Sequence, residues 1–255
     1  MRSSGRPGHL LDRAYGLGRS LWMYYGTWGQ GARMRAFYAP FVRPGTLCFD
    51  IGAHVGSRSR CWSGLGARVL AVEPQPDFAR FLRLLFWRDP KVSVLPQAVA
   101  ARAGTVTLHV SPRTPTVSTG SRSFIEETSR VPGFAWVDWS QQVTVPATTL
   151  DALIERHGEP SFVKIDVEGM EHEVLAGLSR PLPALSFEFV PASPSSARAS
   201  LERLAALGDY VWNVALGEEP AFLFDRPVAA ATMLSWLAAR DPEGPSGDLY
   251  AIRAA

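Results

Sequence analysis

Short apolar runs alternate with amphipathic stretches along the chain from residue 46 onward. The runs rich in Val, Ile, Leu and Phe predict strands, and the stretches with helical spacing predict helices. This alternation is typical of an α/β fold with a doubly wound, mostly parallel sheet. Strands are predicted at 46–51, 68–73, 91–95, 104–110, 143–145, 161–167, 184–190, 210–216 and 249–253, and helices at 56–65, 77–87, 150–156, 197–207 and 229–239. The strand at 104–110 is expected to pair in antiparallel fashion.

Two segments depart from this alternation. Apolar residues at helical spacing between Leu10 and Tyr24 predict an amphipathic N-terminal helix, which either packs on the main domain or lies on a membrane surface. Residues 111–142 are rich in Ser, Thr, Pro and Gly, and this length suggests a functional loop. We therefore predict a helical extension over residues 1–42 and a main domain over 43–255, with an insertion at 111–142.

Composition narrows the class of protein. The net charge of +2, from 26 basic and 24 acidic residues, lacks the positive field expected of a nucleic-acid-binding protein. The sequence contains no run of 18 apolar residues, so no transmembrane segment is predicted. The N-terminal stretch lacks the apolar region of a signal peptide. Cys48 and Cys61 have apolar neighbours and are predicted to be reduced core thiols. We expect a cytoplasmic protein.

A turn with the pattern Asp50-x-Gly52-x-His54-x-Gly56 follows the first predicted strand. Glycines allow close approach of a ligand to the backbone, and an acid at a strand end can accept hydrogen bonds from a cofactor. The nicotinamide fingerprint has a different glycine spacing. Glu73 ends the second predicted strand, where its two oxygens could hold both hydroxyls of a ribose. Together these features favour a nucleoside-binding site over ordinary turn residues.

A second cluster of ionisable residues follows the strand predicted at 161–167. Asp166, Glu168, Glu171 and His172 lie where this strand meets a helix, at the edge of an α/β sheet where ligands bind. Some of these acids could instead serve only to stabilise the helix N-terminus. We expect at least one of them to contact substrate.

Taken in order, the segments DIGAHVG, AVEP and KIDVEGMEHEVLAG resemble the FkbM-type methyltransferases over about residues 46–190. The resemblance implies a Rossmann-like class I methyltransferase fold with a mostly parallel, seven-stranded sheet. It also implies S-adenosylmethionine as donor, and O-methylation of a hydroxyl on a sugar, polyketide or other small metabolite. The insertion at 111–142 would then lie on the acceptor side. We expect a small-molecule acceptor and no nucleic acid, and we leave a homodimer open.

Roles for individual residues follow from the same resemblance. The cofactor-binding set would be Asp50, Gly52, His54, Gly56, Glu73, Gln97 and Ala98. Asp50, Gly52 and Gly56 would line the methionine part of the cofactor. Glu73 would hold the ribose, and Gln97 and Ala98 would lie near the adenine. The family usually has Asn at the position of His54, whose ring is larger and titrates near neutrality.

Asp166, Glu168 and His172 are the candidate catalytic residues. Methyl transfer to an alcohol needs an aligned acceptor oxygen and a group that removes its proton. Asp166 is the first choice for a contact, and His172 has the most suitable pKa for a base. A divalent metal ion bound by Asp166, Glu168 and His172 is a further hypothesis, although we expect no metal.

Two other functions stay open. A noncatalytic module that binds a cofactor or partner would keep Asp50 and Glu73 but would not need Asp166 and Glu168. An N-methyltransferase acting on a small molecule or peptide would share the fold and donor. A nucleic-acid methyltransferase is disfavoured, because the sequence has no Asn/Asp-Pro-Pro-aromatic motif and no basic run.

Overall fold

The computed structural model of the 255-residue chain describes residue 12 and residues 15–22 and 30–254. Residues 15–22 are helical, as the apolar spacing predicts, whereas Leu10 and Tyr24 lie outside the described residues. Among the helices that the structure describes, none is long and apolar enough to cross a membrane.

The remaining elements agree closely with the predicted alternation. The strands are β1 (Leu47–Ile51), β2 (Arg68–Val72), β3 (Val92–Leu95), β4 (Ala98–Val99), β5 (Gly104–Val110), β6 (Gln141–Thr148), β7 (Phe162–Ile165), β8 (Ala184–Phe189), β9 (Tyr210–Leu216) and β10 (Gly247–Arg253). The helices are α1 (Gln30–Tyr38), α2 (Ser57–Gly64), α3 (Pro76–Leu85), α4 (Arg122–Thr128), α5 (Leu150–His157), α6 (Glu171–Ala176), α7 (Pro194–Leu207) and α8 (Ala230–Ala238).

Seven strands form the main sheet in the order β3-β2-β1-β7-β8-β10-β9. Only β10 runs antiparallel to its neighbours, β8 and β9, so the predicted mostly parallel, seven-stranded sheet is confirmed. The chain passes from β1 outward to β2 and β3, then returns to β7 on the other side of β1. The order therefore reverses between β1 and β7, and in open α/β sheets ligands bind outside the carboxyl ends of the strands at such a point.

A separate three-stranded sheet has the order β4-β6-β5. The predicted antiparallel pairing of residues 104–110 is confirmed, because β5 pairs with β6 over its full length. Its exposed Thr105 and Thr107 and its buried Leu108 are consistent with a strand that has one face in contact with an apolar cluster.

Apolar residues bury both faces of the central strands. All five residues of β1 and all four of β7 are buried, as expected for parallel strands with covered faces. On one side of the sheet, aromatic rings from α1, α2, β7 and β10 pack together, namely Tyr38, Trp62, Phe162 and Tyr250. Helix α1 thus contributes to the same core as the strands.

Both cysteines belong to this aromatic side of the core. Cys48 and Cys61 are buried and unpaired, which confirms the prediction of reduced core thiols. Burial raises the pKa of each thiol to about 11, so both are neutral near pH 7.

Residues 111–142 contain a helix that the sequence pattern does not predict. Helix α4 begins after Ser121, whose hydroxyl accepts a hydrogen bond from the backbone N–H of Phe124 at 3.1 Å. Its seven residues span about two turns, too few to show a helical period among the neighbouring Ser, Thr and Gly. The buried Phe124 ring holds it against the rest of the domain.

Gly52 joins β1 to β7 by a very close backbone contact. Its φ is +82°, and a Cβ atom placed there would lie 1.8 Å from the carbonyl oxygen of Asp166. The glycine is therefore required by the neighbouring strand end as well as by any ligand that approaches it.

We predict that Gly52→Ala destabilises the fold much more than Gly45→Ala. Gly45 has a similar φ of +79°, but nothing lies within 4 Å of an added Cβ, so its cost is only the left-handed strain of about 1–2 kcal/mol. At Gly52 the overlap with Asp166 adds about 1–3 kcal/mol. Urea unfolding of the two variants measures the difference, and equal losses would contradict the role of the contact.

Candidate active site

A cleft opens at the carboxyl ends of β1, β2 and β7, where the strand order reverses. It encloses about 730 Å³ of empty space, counted to include its open mouth. Its lining includes seven of the residues predicted from the sequence: Gly52, His54, Glu73, Gln97, Ala98, Asp166 and Glu168. Asp50, Gly56 and His172 are predicted site residues that do not line it.

Asp50 and Gly56 lie next to the cleft and organise its floor. The hydroxyl of Ser59 donates a hydrogen bond of 2.5 Å to the buried Asp50 carboxyl, which links β1 to α2. Burial raises the pKa of this carboxyl. Gly56 has φ +76°, and a Cβ there would lie 2.7 Å from a methyl carbon of Leu82, so this glycine allows α3 to approach the turn.

Glu73 is buried at the end of β2 with both oxygens bound by backbone groups. The N–H of His54 donates to Oε2 at 2.8 Å, and the N–H of Gln75 donates to Oε1 at 2.8 Å. Burial outweighs these bonds and raises the pKa of Glu73 to about 7. Each oxygen of the ionised carboxylate keeps capacity for a further hydrogen bond.

His54 lies against Phe78, with ring centroids 4.4 Å apart. Burial lowers its pKa to about 4, although the charge of Asp166 partly opposes this shift. The expectation that His54 titrates near neutrality is therefore wrong: the imidazole is neutral at pH 7, because the ring is withdrawn from water. A neutral ring can donate one hydrogen bond and accept one, so it supplies part of the hydrogen-bonding capacity of an amide, which has two N–H donors and a carbonyl acceptor.

His54 and Glu168 share an unusual backbone conformation. Their φ angles are 48° and 53°, and they are the two non-glycine residues with positive φ in the part of the chain that the structure describes. Both line the cleft. Such conformations cost on the order of 1 kcal/mol and are concentrated at functional sites, so the surrounding structure holds both residues in place.

Lys164 is a central residue of the site that the sequence pattern did not indicate. Its ammonium group is buried, 3.0 Å from Asp166 Oδ2 and 2.7 Å from Asp248 Oδ1. Burial alone would lower the pKa of Lys164, but the two carboxylates raise it well above its usual range. For Asp166, burial opposes ionisation, yet Lys164 and Arg58 lower its pKa overall.

Glu188, on β8, joins Asp166 and Glu168 in a group of three carboxyls. One oxygen from each lies within 4.8 Å of the others. The pKa of Glu168 is raised well above its usual range by burial and by the charges of Asp166 and Glu171. Sequence reasoning missed Glu188, although a charged residue in the mostly apolar run LSFEFV was a usable signal.

Glu171 and His172 contact other parts of the protein and do not line the cleft. Glu171 is buried and accepts hydrogen bonds from the N–H groups of Val167 at 3.2 Å and Gly169 at 3.1 Å, so it braces the loop after β7. His172 Nδ1 lies 3.2 Å from the hydroxyl of Ser196, outside the cleft. The hypothetical metal ligand set of Asp166, Glu168 and His172 is therefore not brought together.

The segment 111–142 forms one wall of the cleft. Pro115, Thr116 and Ser118 line it, and the side-chain amide of Gln75 donates to the carbonyl of Pro115 at 3.2 Å. Trp139 supports this wall by donating its indole N–H to the carbonyl of Val117 at 2.8 Å.

Two further aromatic residues of this segment, Phe134 and Trp136, differ in exposure. The Phe134 ring packs edge-on against Phe124, 6.2 Å between centroids. Trp136 is 56% exposed, and the Arg19 guanidinium lies 5.3 Å from its ring centroid. The three aromatics therefore do not form a single stacking surface.

The strand order and the position of the cleft define the fold of class I S-adenosylmethionine-dependent methyltransferases. Residues 50–191 match the family described as the methyltransferase FkbM domain, and the chain belongs to this family. The family resemblance predicted from the sequence motifs is thus confirmed.

Several known proteins are similar to this chain. The TehB-like SAM-dependent methyltransferase of Corynebacterium glutamicum has a TM-score of 0.51 at 10% identity, covering 98% of this chain and 100% of that one. The O-methyltransferase of Bacillus cereus, solved with SAH, has a TM-score of 0.49 at 13% identity, covering 99% and 93%. The hexuronic acid methyltransferase AglP of Haloferax volcanii is 29% identical over 148 residues, covering 56% of this chain and 54% of AglP. The matched region thus spans about half of that relative.

We predict that Lys164→Met destabilises the protein by about 3–5 kcal/mol at pH 7, because it leaves the buried Asp248 carboxyl and the partly buried Asp166 carboxyl without their cation. Chemical unfolding measures the loss. Lys91→Met is a matched control, since Lys91 is exposed and its truncation should change stability by no more than about 0.5 kcal/mol. Equal effects of the two substitutions would contradict the assigned role of Lys164.

Proposed function

We propose that the protein is an S-adenosylmethionine-dependent methyltransferase that methylates a hydroxyl group of a small acceptor, in the first instance a sugar. The observation that carries the proposal is that one cleft is lined both by the buried carboxyl of Glu73, which can accept hydrogen bonds from a ribose, and by the carboxyls of Asp166 and Glu168. Membership of the FkbM family supports the methyltransferase activity. The name of AglP, a hexuronic acid methyltransferase, supports a sugar acceptor.

The residues on the β1–β2 side of the cleft fit the cofactor. Glu73 would accept hydrogen bonds from the two ribose hydroxyls, for which an ionised carboxylate has the capacity. Gly52 and the neutral His54 would contact the methionine part, and Gln97 and Ala98 the adenine. When bound, S-adenosylmethionine would supply an electrophilic methyl group attached to a positively charged sulfur.

Asp50 and Gly56 would act indirectly. The Asp50 carboxyl is held by Ser59, and Gly56 permits the packing of α3, so both would shape the turn that contacts the cofactor. Asp50 and Gly56 would thus belong to the cofactor site although neither residue lines the cleft.

Glu168 is the residue best placed to act as the base. The Glu168 carboxylate would take the hydroxyl proton of the acceptor, while the acceptor oxygen gains the methyl group and the cofactor sulfur, losing that group and its positive charge, leaves as a neutral thioether. Asp166 is less suited to this step, because Lys164 stabilises its ionised form and lowers its proton affinity. It would instead orient the acceptor, while His172, which does not line the cleft, would take no part in the reaction.

The wall formed by residues 115–118 supports an acceptor-side role for the insertion at 111–142. We retain the proposed division into an N-terminal extension, residues 1–42, and a methyltransferase domain, residues 43–255. The acceptor would be a small molecule.

Cofactor affinity should increase as the pH rises from about 6 to 8. Ribose hydroxyls donate to the ionised form of Glu73, whose pKa in the free protein is raised to about 7 by burial. Below that pH the dissociation constant should rise about tenfold per pH unit, and above it should level off. Isothermal titration calorimetry with S-adenosylmethionine measures this dependence.

Glu73→Gln should weaken binding about tenfold to a hundredfold at pH 8 and flatten the pH dependence, because a neutral amide loses the charge-assisted bonds. Glu155→Gln, at an exposed position of α5, is the control and should change neither quantity. No binding of S-adenosylmethionine by the intact protein would falsify the proposed function.

Glu168→Gln should lower kcat by about 10²–10⁴ while leaving cofactor affinity within a few fold, because it removes only the proton acceptor. Transfer of labelled methyl to pooled hexosides and hexuronides gives the measurement. His172→Gln should retain most of the activity. A loss in the His172 variant as large as in the Glu168 variant would refute the choice of base, and labelled amines in place of ethers would indicate N-methylation.

A further inference from the structure

Glu188 contributes the third carboxyl beside Asp166 and Glu168, on a strand that the proposed reaction does not use. Its Oε2 atom is shielded from solvent and has no hydrogen-bond partner among the described residues. Oxygens of the three carboxyls lie within 4.8 Å of one another. At such separations like charges repel strongly in a partly buried site, so the three groups cannot all be ionised together near neutral pH.

The charges around Glu188 leave this repulsion uncompensated. Four acids and two cations act on Glu188 or on its neighbours in the cluster. The acids are Asp166 and Glu168 after β7, Glu171 on α6 and Asp248 on β10, and the cations are Lys164 on β7 and Arg58 on α2. Lys164, which is bonded to Asp166 and Asp248, also attracts the Glu188 carboxylate, but this effect is smaller than the opposing effects of burial and of the neighbouring acids.

We propose that Glu188 is a positioning residue that keeps a proton on its carboxyl, so that Asp166 and Glu168 can both be ionised beside it. Among the three carboxyls, Asp166 has its cation and Glu168 lines the open cleft, whereas Glu188 has a shielded oxygen without a partner. Its neutral carboxyl can donate a hydrogen bond to a neighbouring carboxylate. The catalytic benefit rests on the proposed function, but the proton on Glu188 does not.

The electrostatic surroundings of Glu188 agree with this assignment. Burial, followed by the charges of Glu168, Asp166 and Glu171, raises the pKa of Glu188 well above its usual range. Burial, Asp166 and Glu171 also raise the pKa of Glu168. We assign the last proton to Glu188 because its Oε2 atom is shielded and has no partner among the described residues, whereas Glu168 lines the open cleft.

Infrared spectroscopy of the intact protein tests the assignment without any acceptor. The carbonyl band of a protonated carboxylic acid is distinct from carboxylate bands and shifts in D₂O. Spectra between about pH 6 and 10 are compared for wild type, Glu188→Gln and Glu168→Gln. We expect an acid band that Glu188→Gln removes and that persists to higher pH than the band removed by Glu168→Gln. Glu155→Gln, an exposed control, should remove no acid band.

Three results would overturn the proposal. The first is an unchanged acid band in folded Glu188→Gln, and the second is a Glu168 band that outlasts that of Glu188. The third is calorimetric binding of Mg²⁺ to wild type with loss of the acid band, because the three carboxyls would then hold a cation instead of a proton. Thermal unfolding verifies that each variant is folded.

Activity measurements provide a separate readout. Glu188→Gln mimics the neutral acid and should retain at least about a third of kcat/KM, whereas Glu188→Ala should lose more than about tenfold. The glutamine variant should also lose any decline in activity at alkaline pH that reflects ionisation of Glu188. Equal losses in both variants would show that the carboxyl is needed as an anion and would contradict the proposal. Absence of any methyl transfer would count against the proposed function and leave the infrared result to decide this one.

Discussion

The buried Lys164 ammonium, bonded to Asp166 and Asp248, sets the charge distribution on which the cleft depends. It connects the end of β7 with β10 across the intervening β8, so a single cation serves two carboxyls from distant parts of the chain. Because a buried charge without a partner is strongly destabilising, the three groups must be retained or replaced together. Lys164 also distinguishes the two acids that line the cleft. It stabilises the ionised form of Asp166, whereas the pKa of Glu168 stays raised.

The ends of β1 and β7 are joined by a backbone contact. Gly52 approaches the carbonyl of Asp166 so closely that no side chain fits between them. The turn after β1 and the loop after β7 therefore form one surface, on which His54 and Glu168 both adopt positive φ angles. Such strain persists because the surrounding contacts over-determine the conformation, and these contacts include the N–H groups that Glu171 binds.

Environment assigns different tasks to chemically similar groups. Burial makes His54 a neutral hydrogen-bonding ring, and it brings Glu73 into a range where its ionisation responds to pH near 7. Among the acids after β7, Asp166 is paired, Glu168 faces the cleft and Glu171 braces a loop. With Glu73 and with Asp50, which Ser59 holds beneath the turn, five carboxyls at one sheet edge thus have five different surroundings.

The sequence alone determined the alternation of strands and helices, the mostly parallel sheet and the family, because each depends on local periodicity and on motifs read within a few residues. It also indicated Glu73, Asp166 and Glu168, since acids at strand ends meet at one edge of such a sheet. Only the tertiary structure brought in Lys164, Asp248 and Glu188, which lie in strands whose patterns predict burial but not partners. It also showed that His172 lies outside the cleft, whereas its neighbour Glu171 binds backbone N–H groups of the loop after β7. Burial and pairing depend on contacts between residues far apart in the chain, and these decide which carboxyl is charged, which is neutral and which merely supports the fold.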